Sequence, residues 1–469
     1  MKRRVTVLGA GPAGLWAALS LLEKHSEIEV TVLEKESSPG GITGSFRYRD
    51  LVFDYGSHRL HPATSSSLMG RISSLLGDDL LKRPRNGRIW LEERFISFPL
   101  KPVDLVFHLP FSFSFGVVLD SLTSVFPGRS QGISFEDTLR SGLGKTISER
   151  FYFPYAEKLW GLSPAELSPV QAKKRIASSS IGKMIKKILS SVSGSSGSSG
   201  YFYYPANGFG QIASKAADAV ADLGGKIVLD TEVVSVIPPS EKHHGTVVTA
   251  GGEEIETNFI FSTIPVDDLA GLLDPTPPSC VVEAAAGGLS YRSMVFCFVE
   301  VHKSQYTPYD AHYFPGLDTC FSRLSEPRNY STADEPQGRT GLCFEIPCSE
   351  GDDVWSLDDD GIMKLVLDDL AKTDLPEPEV SSFFVKRKKN IYPVYDHAFS
   401  RNLSKVEEFL KGYSRMVSYG RQGMFVHDNT HHTMEMGIAA ADCLTADLHW
   451  DTKKWADYRE LFNSHVVVD

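Results

Sequence analysis

Apolar positions along the first thirty-five residues change period twice. Arg4 to Leu8, with Val-Thr-Val-Leu at its centre, predicts a buried strand, and Leu15 to Leu22 has apolar residues at helical spacing. Ile28 to Leu33 predicts a second strand that runs into Glu34. Strand, helix and strand within about thirty residues make a βαβ unit. Further on, residues 50–64 read as loop, with His58 and His61, and residues 130–190 read as mainly helical. Gly208 to Leu223 predicts a helix, Lys226 to Leu229 a strand, and Thr231 to Ile237 continues the β pattern. Residues 289–301 and 341–346 are β-rich and predict a separate sheet. Met434 to Leu448 predicts a helix with an alanine-rich packing face. There is no internal repeat.

Composition narrows the class. The chain has 469 residues, 42 % hydrophobic and 23 % charged, which fits a globular protein of two to four domains or lobes and excludes a disordered chain, a coiled coil and a collagen. The net charge of −11 argues against nucleic acid as a partner. It is unevenly spread. Residues 145–187 carry nine Lys or Arg against three Glu. That basic stretch, which includes Lys173, Lys174 and Arg175, runs into the low-complexity connector 189–200. It is either a solvated helical face or a flap that draws in an anionic small molecule, and Arg175 is a candidate substrate ligand there. The six cysteines form no CxxC pair and read as buried thiols of a reducing, cytoplasmic compartment. The most apolar run, between Asp104 and Asp120, has fifteen uncharged residues and contains His108 and Pro110, too short for the ~20 residues of a membrane span. It reads as a buried helix–turn segment, or else as an apolar lip giving peripheral membrane contact.

The candidate chemistry begins in the βαβ unit. Gly9-x-Gly11-x-x-Gly14 follows the first strand and opens the helix. Gly9 suits a tight turn, Gly11 lets the backbone approach a pyrophosphate, and Gly14 lets helix and strand pack closely. The helix N-terminus favours phosphate. Glu34, 20 residues past Gly14, is placed to accept hydrogen bonds from a ribose diol. No second dinucleotide fingerprint, Ser/His/Asp motif or P-loop lysine is present. His58 and His61 lack a third ligand, and Asp428-Asn429-Thr430 reads as a turn or N-cap before the final helix. No metal site is expected.

Glu34-Lys35-Glu36-x-x-Pro39-Gly40-Gly41 resembles the segment after the ribose acid in the FAD family of amine oxidases, phytoene desaturases and protoporphyrinogen oxidases. Gly224 to Val233 resembles that family's adenine-side strand. Gly420-Arg421-x-Gly423 with Glu435-Met436-Gly437 resembles its C-terminal flavin block. The resemblance implies FAD as cofactor, held by Gly9, Gly11, Gly14, Glu34, Lys35, Gly40, Gly41, Val233, Gly420, Arg421 and Met436. Phe53 to Pro62 resembles the flavin-ring block of protoporphyrinogen-oxidase-like proteins and UDP-galactopyranose mutases. Pro154-Tyr155 to Trp160-Gly161, Arg323 to Arg328 and Tyr392-Pro393-Val-Tyr395 resemble mutase segments. They imply Tyr155, Trp160, Arg323 and Tyr392 as substrate ligands, with His58, Arg421 and Tyr392 catalytic. Read from the residues alone, Arg323 and Arg328 are anion-binding forks or ion-pair partners of Glu326.

The expected fold is α/β: a Rossmann-like FAD-binding domain, an antiparallel-sheet substrate domain and a helical insertion. The FAD-binding domain is expected to be assembled from 1–90, 201–275 and 401–469, with insertion 91–200 and substrate domain 276–400. The expected activity is an FAD-dependent oxidoreductase that passes a hydride to flavin N5 from a small substrate, a sugar nucleotide or glycan precursor. A mutase-like sugar-nucleotide isomerase and a non-catalytic flavoprotein subunit are the alternatives. The mutase pattern has Asn after the paired glycines and Tyr-Arg-Tyr near the flavin. This chain has Ile42 and Met424-Phe-Val-His427, which favours the redox reading.

Overall fold

A computed structural model describes residues 3–99, 108–123, 132–175 and 200–467. Leu100, most of the connector 189–200 and the basic residues Lys183, Lys186 and Lys187 lie outside them, as does the Arg175 side chain.

Five strands form one sheet in the order Met416–Ser418, Phe259–Ser262, Arg3–Leu8, Ile28–Leu33, Lys226–Val228. Every pairing in it is parallel. Its members come from distant parts of the chain. Both faces are covered, which is why the centres of these strands are mostly apolar. Phe259 and Phe261 feed one core cluster and Ile260 the other. The first cluster contains helix Pro12–Lys24, which crosses helix Thr430–Asp442 at very close range. A Cβ added at Gly437 would sit 2.2 Å from the Ala13 carbonyl oxygen.

Helix Thr430–Asp442 starts earlier and stops sooner than its alanine pattern predicts. Asn429 caps it and His432 completes a capping box. A further helix, Thr452–Asn463, capped by Asp451, follows it and was not anticipated. Its mixed Lys, Trp, Asp, Tyr and Arg sequence leaves only Phe462 fully buried, so the apolar period is faint.

A second sheet has seven strands in the order Val380–Val394, Ser290–Val301, Thr340–Cys348, Arg323–Ser325, Ala311–Tyr313, Gly87–Leu91, Arg94–Phe98. It is antiparallel except where Ala311–Tyr313 meets Gly87–Leu91. The hairpin 87–98 thus joins the substrate sheet, across the boundary expected at residue 90. The insertion is helical, as expected, and its core includes Phe113, Phe135, Leu139, Leu159 and Trp160. The apolar run before Asp120 is not buried as a whole. Phe113 is inside, but Phe111 is 81 % and Phe115 50 % exposed on helix Phe111–Thr123. Among the described residues no helix is long and apolar enough to cross a membrane. All six cysteines are unpaired, and Cys297, Cys343, Cys348 and Cys443 are buried.

Candidate active site

A cavity of about 1220 Å³ runs between the two sheets and the insertion. It exceeds the ~300–1,000 Å³ of an ordinary small-molecule pocket, so it has room for a dinucleotide and a second molecule.

The first arm of the cavity begins at the glycine loop. Gly9 turns with φ of +99°, and a Cβ at Gly14 would lie 2.0 Å from the Gly9 carbonyl oxygen. Gly11, the N-cap of helix Pro12–Lys24, lies on the wall, and a Cβ there would meet nothing within 4 Å. The first turn of that helix carries no acid and no side-chain cap, so its amide dipoles face the cavity unneutralised. Glu34 is buried on the same wall. Its carboxylate accepts from the backbone N–H of Ala10 at 2.7 Å and of Glu36 at 3.0 Å. Lys35, Gly40, Gly41 and Val233 line this arm as well. The paired-glycine turn is tied to the loop by Gly40 N–H donating to Ala10 O at 2.8 Å. Val233 arrives because the edge strand Lys226–Val228 extends the parallel sheet beside Glu34. Gly14 and Gly420 are not lining residues; they pack against residues that are, Gly14 against Gly9 and Gly420 against Ala13. Met436 is fully buried in the helix-packing core and is not a lining residue.

The second arm is lined by His58, Arg59, His61, Arg85, Tyr155, Phe202, Tyr313, Arg323, Glu345 and Tyr392. Arg323 is gripped by Glu345 through two bonds of 2.6 Å, from Nε and Nη2. This corrects the expected partner: Glu326 instead accepts from the backbone N–H groups of Tyr306 and Thr307. Arg328 pairs with Glu335 at 3.4 Å and is not a lining residue. The Arg59 side chain is 7 % exposed, sits 3.2 Å from Asp310, and lies over the Phe202 ring at 4.8 Å. Arg421 donates to Ile391 O at 2.8 Å and stacks over Tyr392 at 5.1 Å. Burial pushes the His58 imidazole down to about 4. The charge of Glu345 opposes the shift, and the nearby Arg323 and Arg421 reinforce it. His58 is therefore neutral at pH 7.

Trp160 does not reach the cavity. It packs edge-on to Phe135 at 5.7 Å and to His427 at 6.2 Å, inside the insertion core. His427, Asp428, Asn429 and Thr430 line the cavity at the start of helix Thr430–Asp442, so a second helix N-terminus opens onto it. Burial works against the Asp428 carboxylate, and contacts from His432 and His465 outweigh it and hold it ionised.

Sequence reasoning did not single out Arg59 or Glu345. Glu345 was accessible in principle. A lone carboxylate in the apolar run Leu-Cys-Phe-Glu-Ile must find a cationic partner.

The family model for flavin-containing amine oxidoreductases matches residues 12–409. A search of the curated proteins finds no sequence match. Among solved structures, the chain is similar to reduced UDP-galactopyranose mutase, with 19 % identity, 94 % of this chain and 93 % of that chain covered, and a TM-score of 0.79. It is similar to an Exiguobacterium sp. 255-15 protein assigned as a protoporphyrinogen oxidase, with 17 % identity, 94 % and 98 % coverage and a TM-score of 0.71. It is also similar to wild-type putrescine oxidase bound to putrescine, with 15 % identity, 94 % and 98 % coverage and a TM-score of 0.64. At these identities the likeness establishes a shared fold.

Proposed function

This chain belongs to the flavin-containing amine oxidoreductase family, and from that membership we propose that it is an FAD-dependent oxidoreductase of a small anionic substrate, a sugar nucleotide or related glycan precursor. One observation carries the substrate reading. The second arm of the cavity brings Arg59, Arg85 and Arg323 together with the neutral His58, while the first arm fits the dinucleotide. Asp310 and Glu345 offset two of these three guanidinium charges, and a cationic amine would still meet a net positive wall.

FAD, when bound, supplies a flavin that accepts a hydride from a substrate carbon. The uncapped helix at Gly11 and the Glu34 carboxylate are the groups that would hold it. On the substrate side, Arg59 and Arg323 face the anionic group; Glu345 takes Nε and Nη2 of Arg323 and so aims its remaining Nη1 at the cavity, while Asp310 fixes Arg59. Tyr155 and Tyr392 offer rings to stack on a base or sugar. His58, uncharged, is free to take the hydroxyl proton as the C–H bond breaks. Its low proton affinity makes it a relay to water rather than a store. Arg421, held over Tyr392, places a positive charge beside the reacting centre. Arg175 remains a proposed ligand of the same anion.

The reading is tested by anaerobic spectral titration of the FAD-loaded protein with UDP- and dTDP-sugars, amines and porphyrinogens. Bleaching of the flavin band by a sugar nucleotide, and not by amines, supports it. Bleaching by amines alone refutes the substrate class. A second reading, a non-redox sugar-nucleotide isomerase, is favoured by the mutase-like blocks at Tyr155 and Tyr392. It requires turnover only after dithionite reduction, with no net electron flow.

A further inference from the structure

We propose that Asp428, His432 and His465 bind one divalent transition-metal ion of the zinc class, which clasps the C-terminal tail to the cavity wall. The three donors come from separate places: the loop before helix Thr430–Asp442, its first turn, and the tail after helix Thr452–Asn463. Their ligand atoms all lie within 4.8 Å of one another. Asp428 Oδ1 is 2.7 Å from His432 Nδ1 and 3.3 Å from His465 Nδ1. The Asp428 side chain is fully buried, and its Oδ2 meets no hydrogen-bond donor among the described residues. His432 Nδ1 faces both the Asn429 backbone N–H at 3.4 Å and the Asp428 carboxylate at 2.7 Å, so an ion at this site takes the place of the proton that otherwise joins His432 to Asp428.

One lysine, Lys174, feels the Asp428 charge, but its hydrogen bonds go to the tail. Lys174 Nζ donates to the carbonyls of Asn463 at 2.9 Å and His465 at 3.1 Å, so it fastens the tail without touching the carboxylate. The tail is fastened again by Val467 N–H donating to Lys174 O at 2.9 Å. Two imidazoles and one carboxylate are a donor set for zinc, cobalt or iron(II) rather than for calcium or magnesium. The rings of His432 and His465 stack 4.0 Å apart at 17°, with both Nδ1 atoms beside Asp428 Oδ1. Asp428, Asn429, Thr430 and Val467 all line the cavity, which leaves any remaining coordination position open to water or ligand from that side. The tail supplies the third ligand, which is why the residues around Asp428 alone gave no metal signature.

The test uses the FAD-loaded full chain, stripped with a chelator and titrated with cobalt(II). The expected result is saturable uptake of one equivalent with a ligand-field band, displaced by zinc. His465→Gln and Asp428→Asn should each weaken binding by at least ~10-fold, since even losing an outer partner of a metal ligand has that effect. His465 lies beyond the last helix, so its variant keeps the fold, which retained FAD and circular dichroism verify. Absence of saturable uptake would mean that the cluster is a hydrogen-bond network only, and the proposal falls. Equal affinity in a folded His465→Gln variant overturns it as well.

Discussion

Two alanine substitutions in one glycine loop should fail in opposite ways. At Gly14, a Cβ would sit 2.0 Å from the Gly9 carbonyl oxygen, 3.1 Å from the Gly9 carbonyl carbon and 3.3 Å from Val7 Cγ1. The first two neighbours are backbone, so the helix must move off the strand. Overpacking of this kind costs about 1–3 kcal/mol. At Gly11, φ is −73° and an added Cβ meets nothing within 4 Å. Gly11→Ala should therefore leave the FAD-free protein as stable as wild type, or more stable by about 0.4–1 kcal/mol through a stiffer unfolded chain. Its methyl group enters the space assigned to the diphosphate. The expected loss of FAD affinity is about 10- to 100-fold, or roughly 1.4–2.8 kcal/mol. Urea unfolding of the FAD-free proteins gives the first quantity, and quenching of FAD fluorescence on binding gives the second. If Gly11→Ala binds FAD as wild type does, the diphosphate is not at this helix. If it destabilises the FAD-free protein as much as Gly14→Ala, the geometry given for the loop is wrong.

Glu345→Ala strands the Arg323 guanidinium and the Ser57 N–H that Glu345 accepts at 2.9 Å, and urea unfolding should register a loss of about 3–5 kcal/mol. The Glu345 charge now props up the proton affinity of His58, so replacing it should move the His58 titration, followed by NMR, still lower. His58 also gives a stability signature against pH. Its affinity is depressed from 6.5 to about 4 in the fold, so from pH 6.5 down to 4 the unfolded chain binds more protons than the native one. That contribution is fully present above pH 6.5 and lost on acidification through this window. His58→Gln should flatten this part of the wild-type stability curve, and an unchanged slope would contradict the burial given for the imidazole. Gly437→Ala should cost about 1–3 kcal/mol in thermal or urea unfolding, because the new Cβ meets the Ala13 carbonyl of the neighbouring helix.

The arm proposed for the dinucleotide could be read from the sequence because its residues are local. Gly9, Gly11, Gly14 and Glu34 fall within one βαβ unit, where period and spacing carry the geometry. The strands Lys226–Val228, Ser290–Val301 and Thr340–Cys348 were legible for a similar reason, as short stretches rich in β-branched and apolar residues. The substrate arm was only partly so. Arg323 could be named, but its partner Glu345 is set by the pairing of neighbouring strands, which sequence spacing does not encode. Trp160 has the same composition signal whether it stacks on a ligand or fills a core, and the structure places it in the core. His465 belongs to a cluster built from a tail that no periodicity connects to Asp428. The apolar run before Asp120 read either as a buried segment or as an apolar lip, and helical spacing divides it, with Phe111 and Phe115 outward and Phe113 inward.

The central claim is that the cavity between the two sheets is an FAD site, and the flavin content of the purified protein tests it most directly. Protein incubated with FAD, freed of excess and then denatured should release one FAD per chain. Release of no flavin from folded protein would contradict the account at its base.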